Sequence, residues 1–294
     1  MKLLSFGEIV WDICGDRKTL GGAPLNLAAH AALQEDDAWL LSAVGRDPLG
    51  REAMERIREL GIHSEYIDVN SPYPTGQCTV TLDADRVPSY RLSENAAYDH
   101  IPVPDALPHT FDILVFETLA LRSEQNRETL RQMLCKNRFE NIYTDLNIRA
   151  PFYSKEVIDF CLSHATIIKI SEEELPVVTQ QLSGAFLNTV DAPRWMKKNY
   201  PQARLLLITQ GEKGSLCYDL QTDRIYRCEA VPTTAVSTVG AGDSYGATFL
   251  SWYFKTKDVM LSMRYASKVS AFVVSRQEAI PKDTKEFLKT ACPC

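Results

Sequence analysis

Two kinds of stretch alternate along this chain. Short, nearly all-apolar runs (KLLSFGEI, AWLLSAVG, DILVFET, NIYTDLNI, ATIIKIS and RLLLITQ) predict strands. Their lack of in–out alternation predicts that both faces are covered. Between them, REAMERIREL, SEQNRETLRQMLCKNR, EVIDFCLSHA and DAPRWMKKNY read as amphipathic helices, the first closed by Gly61 and the last by Pro201. This rhythm predicts an α/β fold: a three-layer sandwich with a mainly parallel sheet covered by helices on both faces. Ligands of such folds gather beyond the carboxyl ends of the strands, so residues just after strands carry the functional weight.

One region breaks the rhythm. From about His63 to His100 the pattern is strand without helix (HSEYIDV, GQCTVTLDADR, SYRLSE), with a hairpin turn predicted at Asp83 to Pro88. GEIVWDICGDRKTLGG near the start offers further strands. The expectation is one domain over residues 1–294, with the strands of a small β lid inserted at about 9–22 and 63–100. Such a flap could close over a site and exclude water; the alternative is an excursion that only extends the sheet.

Composition narrows the partners. The chain has 294 residues, is 45% hydrophobic and 24% charged, and carries a net charge of −6. That balance argues against nucleic acid or an anionic membrane surface, both of which reward basic patches. Glu8 and Asp12 interrupt the first apolar stretch, and no window reaches the roughly 18 apolar residues of a membrane span. The eight cysteines are scattered, fit no zinc spacing, and read as reduced thiols of a cytoplasmic protein, Cys292 and Cys294 lying in a frayed tail. His30, His63, His100, His109 and His164 show no ligand spacing and read as structural.

The chemistry concentrates in a few turns. In STVGAGDSYG, Gly240, Ala241 and Gly242 lead into Asp243 at a helix start, where backbone N–H groups and the helix dipole favour an anion. A capped helix start alone, or a dinucleotide-binding turn, would use similar residues. The second is weakened by the late position and by a carboxylate where pyrophosphate would approach. Near the N-terminus, Asp12, Gly21, Gly22 and Asn26 combine carboxylate, bare backbone and amide, a set suited to a polyhydroxyl ligand; a glycine turn before an alanine-rich core helix is the alternative. Further polar strand ends are Glu117, Asp145 with Asn147 and Arg149, Ser171 with Glu174, and Thr209 with Gly211 and Gly214.

Taken in order, GGAPLN, VGRDPLG, TDLNIR, KISEEEL, ITQGEKG and STVGAGD resemble the PfkB-type, or ribokinase-like, carbohydrate kinases over nearly the whole chain. PTGQCTVTLDADRVPSYRLSENAAYD is most similar to the fructokinase-like branch. The resemblance implies an ATP-dependent transfer to a primary hydroxyl of a small sugar, fructose first, with Asp243 as base and the N–H groups of Ala241, Gly242 and Asp243 as the anion cradle. It further implies that Asp12, Gly21, Gly22, Asn26 and Glu117 hold the sugar. Ser171, Thr209, Gly211, Gly214 and Ser267 would line ATP, and Glu174 would hold Mg²⁺ through water. The helix dipole is expected to depress the pKa of Asp243.

Departures from the family pattern matter. Ser237 replaces an Asp associated with a monovalent-cation site, so strong K⁺ activation is not expected. Glu117 stands where many fructokinase-like chains have Gly, while ribokinases place a Glu near the sugar. Ribose, 2-keto-3-deoxygluconate and nucleosides therefore remain alternative substrates, and a non-catalytic sugar or nucleotide sensor is the alternative to an enzyme. Open edges of the lid strands could pair into a homodimer.

Overall fold

The computed structural model describes residues 1–82, 88–107, 110–137 and 139–291. The strands are β1 (Lys2–Phe6), β2 (Val10–Cys14), β3 (Arg17–Gly21), β4 (Asp37–Gly45), β5 (Ile67–Ser71), β6 (Gly76–Leu82) and β7 (Pro88–Leu92). They continue with β8 (Ile113–Glu117), β9 (Ile142–Asp145), β10 (Ile167–Ser171), β11 (Leu205–Thr209), β12 (Ser215–Asp219) and β13 (Arg224–Cys228). The helices are α1 (Ala23–Leu33), α2 (Pro48–Glu59), α3 (Glu124–Lys136), α4 (Lys155–His164) and α5 (Glu174–Ser183). After them come α6 (Ala192–Asn199), α7 (Ala241–Thr256), α8 (Val259–Val274) and α9 (Thr284–Ala291).

The large sheet has the order β13-β12-β11-β10-β9-β8-β1-β4-β5. It is parallel from β5 to β11 and ends in an antiparallel pair of strands at the β13 edge. Alternate residues of its apolar strands feed two separate cores, as a sheet buried on both faces requires. Leu3, Ile113, Ile167 and Leu205 pack with Leu27 of α1, Ile57 of α2, Phe249 of α7 and Met263 of α8. Leu4, Leu114, Ile168 and Leu206 pack with Leu130 of α3, Ile158 of α4, Val178 of α5 and Met196 of α6. Each fully buried side chain of this kind contributes about 1.5–3 kcal/mol, so these two layers can carry a polar site that does not stabilise the fold.

A separate four-stranded sheet has the order β3-β2-β6-β7. The predicted flap region is therefore split. HSEYIDV does not join the small sheet: its strand, β5, runs parallel to β4 and extends the large one. Local pattern could not reveal this, because strand membership depends on pairing with a distant segment. β6 and β7 pair antiparallel from Cys78↔Leu92 to Leu82↔Pro88; residues 83–87 of the predicted turn, His109, Cys292 and Cys294 lie outside the described residues. Among the described residues, no helix is long and apolar enough to cross a membrane.

Strands β4 and β8 flank β1 on opposite sides. The winding direction thus reverses at β1 and opens a crevice beyond the strand ends. Glu8, Glu117, Asp145, Ser171 and Thr209 all stand at or just beyond carboxyl ends on this side.

Candidate active site

Strand register aligns three charged residues. Glu117 at the end of β8 lies opposite Asp145 at the end of β9, and Asp145 lies opposite Lys169 of β10. The Lys169 ammonium donates to Asp145 Oδ2, and both side chains are buried. Helix α7 meets this row with its N-terminus. Its N-cap Gly240 has φ 78°, a left-handed turn where a side chain would also strike the Ala279 backbone. Gly242 brings the chain so close that a Cβ would lie 3.1 Å from Lys169 Nζ.

Asp243 follows in the first turn of α7, buried, and its Oδ2 accepts a 2.7 Å hydrogen bond from Asn26 Nδ2 of α1. One carboxylate oxygen each from Glu117, Asp145 and Asp243 lies within 4.8 Å of the others. Glu8, after β1, adds a fourth buried carboxyl; its Oε1 accepts from Ala23 N–H at 3.3 Å.

Burial governs the electrostatics. It pushes the Asp243 carboxyl above its ordinary range, opposed by the Asn26 hydrogen bond and the charges of Lys169 and Arg149. The dipole-based expectation of a depressed pKa is thus corrected: desolvation outweighs the helix terminus. Burial raises Glu8 to about 7, with the Asp243 charge adding to the rise against backbone hydrogen bonds. Glu117 is raised well above the usual range by burial and then by Asp145, Asp243 and Glu8, opposed by Asn147 Nδ2 donating to its Oε2 at 2.8 Å. Asp145 is lifted by burial to about 6 while Lys169 pulls it down. Burial acts to lower Lys169, but Asp145 holds it above its ordinary value, so the ammonium stays charged.

Several acceptors in this pocket have no partner: Glu8 Oε2, Glu117 Oε1 and Asn26 Oδ1. Buried polar atoms are normally satisfied, so a ligand rich in hydroxyl donors suits the space. Asp12 on β2 stands beside Gly21, where a Cβ would come within 3.2 Å of its Oδ2, and Cys78 of β6 also bonds its side chain. Burial raises Asp12 as well. Gly22 caps α1 against the Glu8 carbonyl. The residues expected to hold a sugar thus form a chain of contacts from β2 through α1 to Asp243, with Glu117 facing them.

The residues expected at the nucleotide lie at the ends of β10 and β11, in the turn that follows β11, and on α8. Ser171 and Thr209 are register partners on β10 and β11. Gly211 and Gly214 bracket a tight turn closed by Gln210 N–H to Gly214 O at 2.8 Å. Ser267 Oγ donates to the Glu229 carbonyl at 3.2 Å, and one turn along α8 Ser270 Oγ donates to the Ala241 carbonyl at 3.0 Å. A largely apolar cleft beside α8 is lined by Val231, Pro232, Ala271, Phe272 and Phe287, with Lys268 at its wall.

Two expected roles look different in place. Ala241 N–H closes a turn onto the Thr238 carbonyl at 3.2 Å, leaving Gly242 and Asp243 as the N–H groups of the first turn, which lacks intrahelical acceptors. Glu174 forms a capping box with Ser171: its Oε2 accepts from Ser171 N–H at 2.9 Å, while Glu174 N–H donates to Ser171 Oγ at 3.2 Å. Its Oε1 accepts from Ile148 N–H at 2.7 Å. Glu174 therefore stands outside the three-carboxylate group, although each oxygen keeps a second lone pair.

At Ser237 the structure offers no carboxylate to a monovalent cation. The N–H groups of Val236 and Ser237 both donate to the Val274 carbonyl, at 2.9 and 3.2 Å.

Sequence reasoning missed Lys169 and Glu8. Each carried a signal: a single cation inside the apolar strand ATIIKIS, and a carboxylate ending the apolar run KLLSFGE.

The pattern of the pfkB family carbohydrate kinases matches residues 5–285. The chain belongs to that family. This PfkB carbohydrate kinase is 28% identical to a fructokinase of Klebsiella pneumoniae, covering 85% of this chain and 83% of the relative. It is 25% identical to the probable fructokinase-3 of Arabidopsis thaliana, covering 95% and 87%. Among solved structures it resembles an uncharacterized sugar kinase of Pyrococcus horikoshii in complex with ATP (TM-score 0.82, 24% identity, 98% and 97% covered). It also resembles a fructokinase of Vibrio cholerae in a fructose-, ADP- and calcium-bound form (TM-score 0.80, 20% identity, 95% and 94% covered). The ribokinase-like fold and the fructokinase-like branch agree with the motifs read from the sequence.

Proposed function

We propose that this kinase transfers the γ-phosphate of ATP to a primary hydroxyl of a small sugar, fructose first among the candidates. The observation that carries the reading is Asp243: a buried carboxylate on an anion-receptive turn, beside a pocket of unpartnered hydroxyl acceptors. Glu117, Asn26 and Asp12 orient the sugar so that one hydroxyl faces Asp243. Phosphoryl transfer is chiefly positioning and charge stabilisation. Asp243 aligns the attacking oxygen and takes its proton late, and its raised pKa makes it a better acceptor than an exposed carboxylate. The first-turn N–H groups and the α7 dipole face the transferred group, as in other oxyanion sites.

The largely apolar cleft beside α8 suits a nucleobase, and Ser270 of the same helix bonds the Ala241 carbonyl at the start of α7. The donor set is hard oxygen, which fits Mg²⁺; Glu174 would hold it through water, and it would neutralise charge between the phosphates. The small sheet acts as the lid over the sugar. Its β3 and β7 edges are where a second copy would pair to form a homodimer.

The test is ADP release over a panel of fructose, ribose, 2-keto-3-deoxygluconate and nucleosides, with Asp243→Ala as control. The expected loss in the variant is about 10²–10⁴-fold. If no panel member exceeds the control, the proposal fails; sugar-dependent thermal stabilisation without turnover would identify a sensor.

A further inference from the structure

Helix α1 reaches the anion turn twice. Asn26 contacts Asp243 directly. One turn further along, His30 is buried, and its Nε2 lies 2.8 Å from the Ala279 carbonyl oxygen. A carbonyl can only accept, so Nε2 carries the proton and donates. Ala279 is also the residue that walls Gly240: a Cβ on Gly240 would lie 2.7 Å from Ala279 Cβ and 2.9 Å from its carbonyl oxygen. The oxygen that His30 holds is therefore the one that bounds the left-handed N-cap of α7. Just upstream, the Val274 carbonyl is held by Val236 and Ser237 N–H. His30 thus anchors one end of a short backbone wall, and the 236–237 segment anchors the other.

We propose that His30 is a positioning residue for phosphoryl transfer, fixing the Ala279 backbone against Gly240 so that the first-turn N–H groups of α7 keep their aim. The inference rests on the kinase reading. Loss of the donor frees the Ala279 carbonyl, lets residues 277–281 shift, and loosens the turn that faces the transferred phosphate. Binding of the sugar by Asp12 and Glu117 does not depend on this wall. The effect therefore falls on kcat, and sugar KM stays put. A side chain that keeps the donor at the same reach restores the wall; Gln has its amide nitrogen as many bonds from Cβ as the imidazole Nε2.

The experiment compares His30→Phe, which fills the space without a donor, with His30→Gln. It measures kcat, sugar KM and hydrogen–deuterium exchange of peptides spanning 236–246 and 274–281. His30→Phe should lose about 10–100-fold in kcat, hold sugar KM within about twofold, and exchange faster in both peptides, while His30→Gln recovers most of each. Equal kcat in the two variants and the wild type, or equal losses in both variants, overturns the proposal. So does faster exchange spread over the whole chain. The exchange arm needs no turnover, so an inactive wild type would sink the kinase reading while still reading out the His30 wall.

Discussion

Asn26 and Asp243 lie 217 positions apart and meet through a buried 2.7 Å hydrogen bond from amide to carboxylate. The bond ties the glycine turn that begins α1 to the glycine turn that begins α7. It also opposes the burial that raises Asp243.

Removing that donor should move the acid limb of the kcat–pH profile upward. In Asn26→Ala the Asp243 carboxylate loses a bond that favours its charged form, so protonation reaches it at higher pH. Turnover at pH 6 should then fall roughly tenfold more than turnover at pH 8. A loss of the same factor at every pH would show that Asn26 acts only by shape.

The two glycines of the turn should fail differently. Gly240→Ala forces a side chain into a left-handed turn and onto the Ala279 backbone, costing about 2 kcal/mol or more of stability. Gly242→Ala meets the tip of Lys169, which can give way, so its melting temperature should stay close to wild type. Its kcat should nonetheless drop about tenfold or more, because the added methyl pushes the Lys169 ammonium out of place beside Asp145 and Asp243. Thermal melts and steady-state kinetics on both variants check the contrast.

Glu8 sets a stability limb. Its folded pKa, about 7, lies above the ordinary 4.5. Its contribution is thus fully present below pH 4.5 and is lost as pH rises through 7. Glu8→Gln should raise Tm at pH 8, the stability gained being on the order of 3 kcal/mol at most, and leave it unchanged near pH 4.5. Melting curves across that range decide it; an unchanged difference at both ends would refute the assignment.

Potassium should matter little. With Ser237 neutral and the Val274 carbonyl already bonded, exchanging KCl for choline chloride at constant ionic strength should change kcat by less than about twofold. Activation of tenfold would mean that a cation displaces those N–H donors.

How far the sequence could be read depended on whether a feature was local. The apolar strands of the large sheet and the strand-rich break after His63 were legible because burial on both faces, or the lack of helical spacing, leaves a mark within a few residues. The assignment of β5 to the large sheet left none, since IDVNS is largely polar and its place is decided by pairing with β4. The individual motifs at Asp12, Asn26, Glu117 and Asp243 were legible as residue types. Their convergence was not, and neither was the row formed by Glu117, Asp145 and Lys169, because both arise from register between strands far apart in the chain. The sign of the Asp243 shift was misjudged for the same reason: dipole position is written in the turn, whereas desolvation depends on what packs over it.

The crowd of acids around Asp243 has a practical corollary. Glu8, Glu117 and Asp243 crowd one buried space beside a Lys169 ammonium already paired with Asp145. A library screened for heat resistance alone would enrich neutral replacements at these positions, so its most durable members would be its poorest kinases.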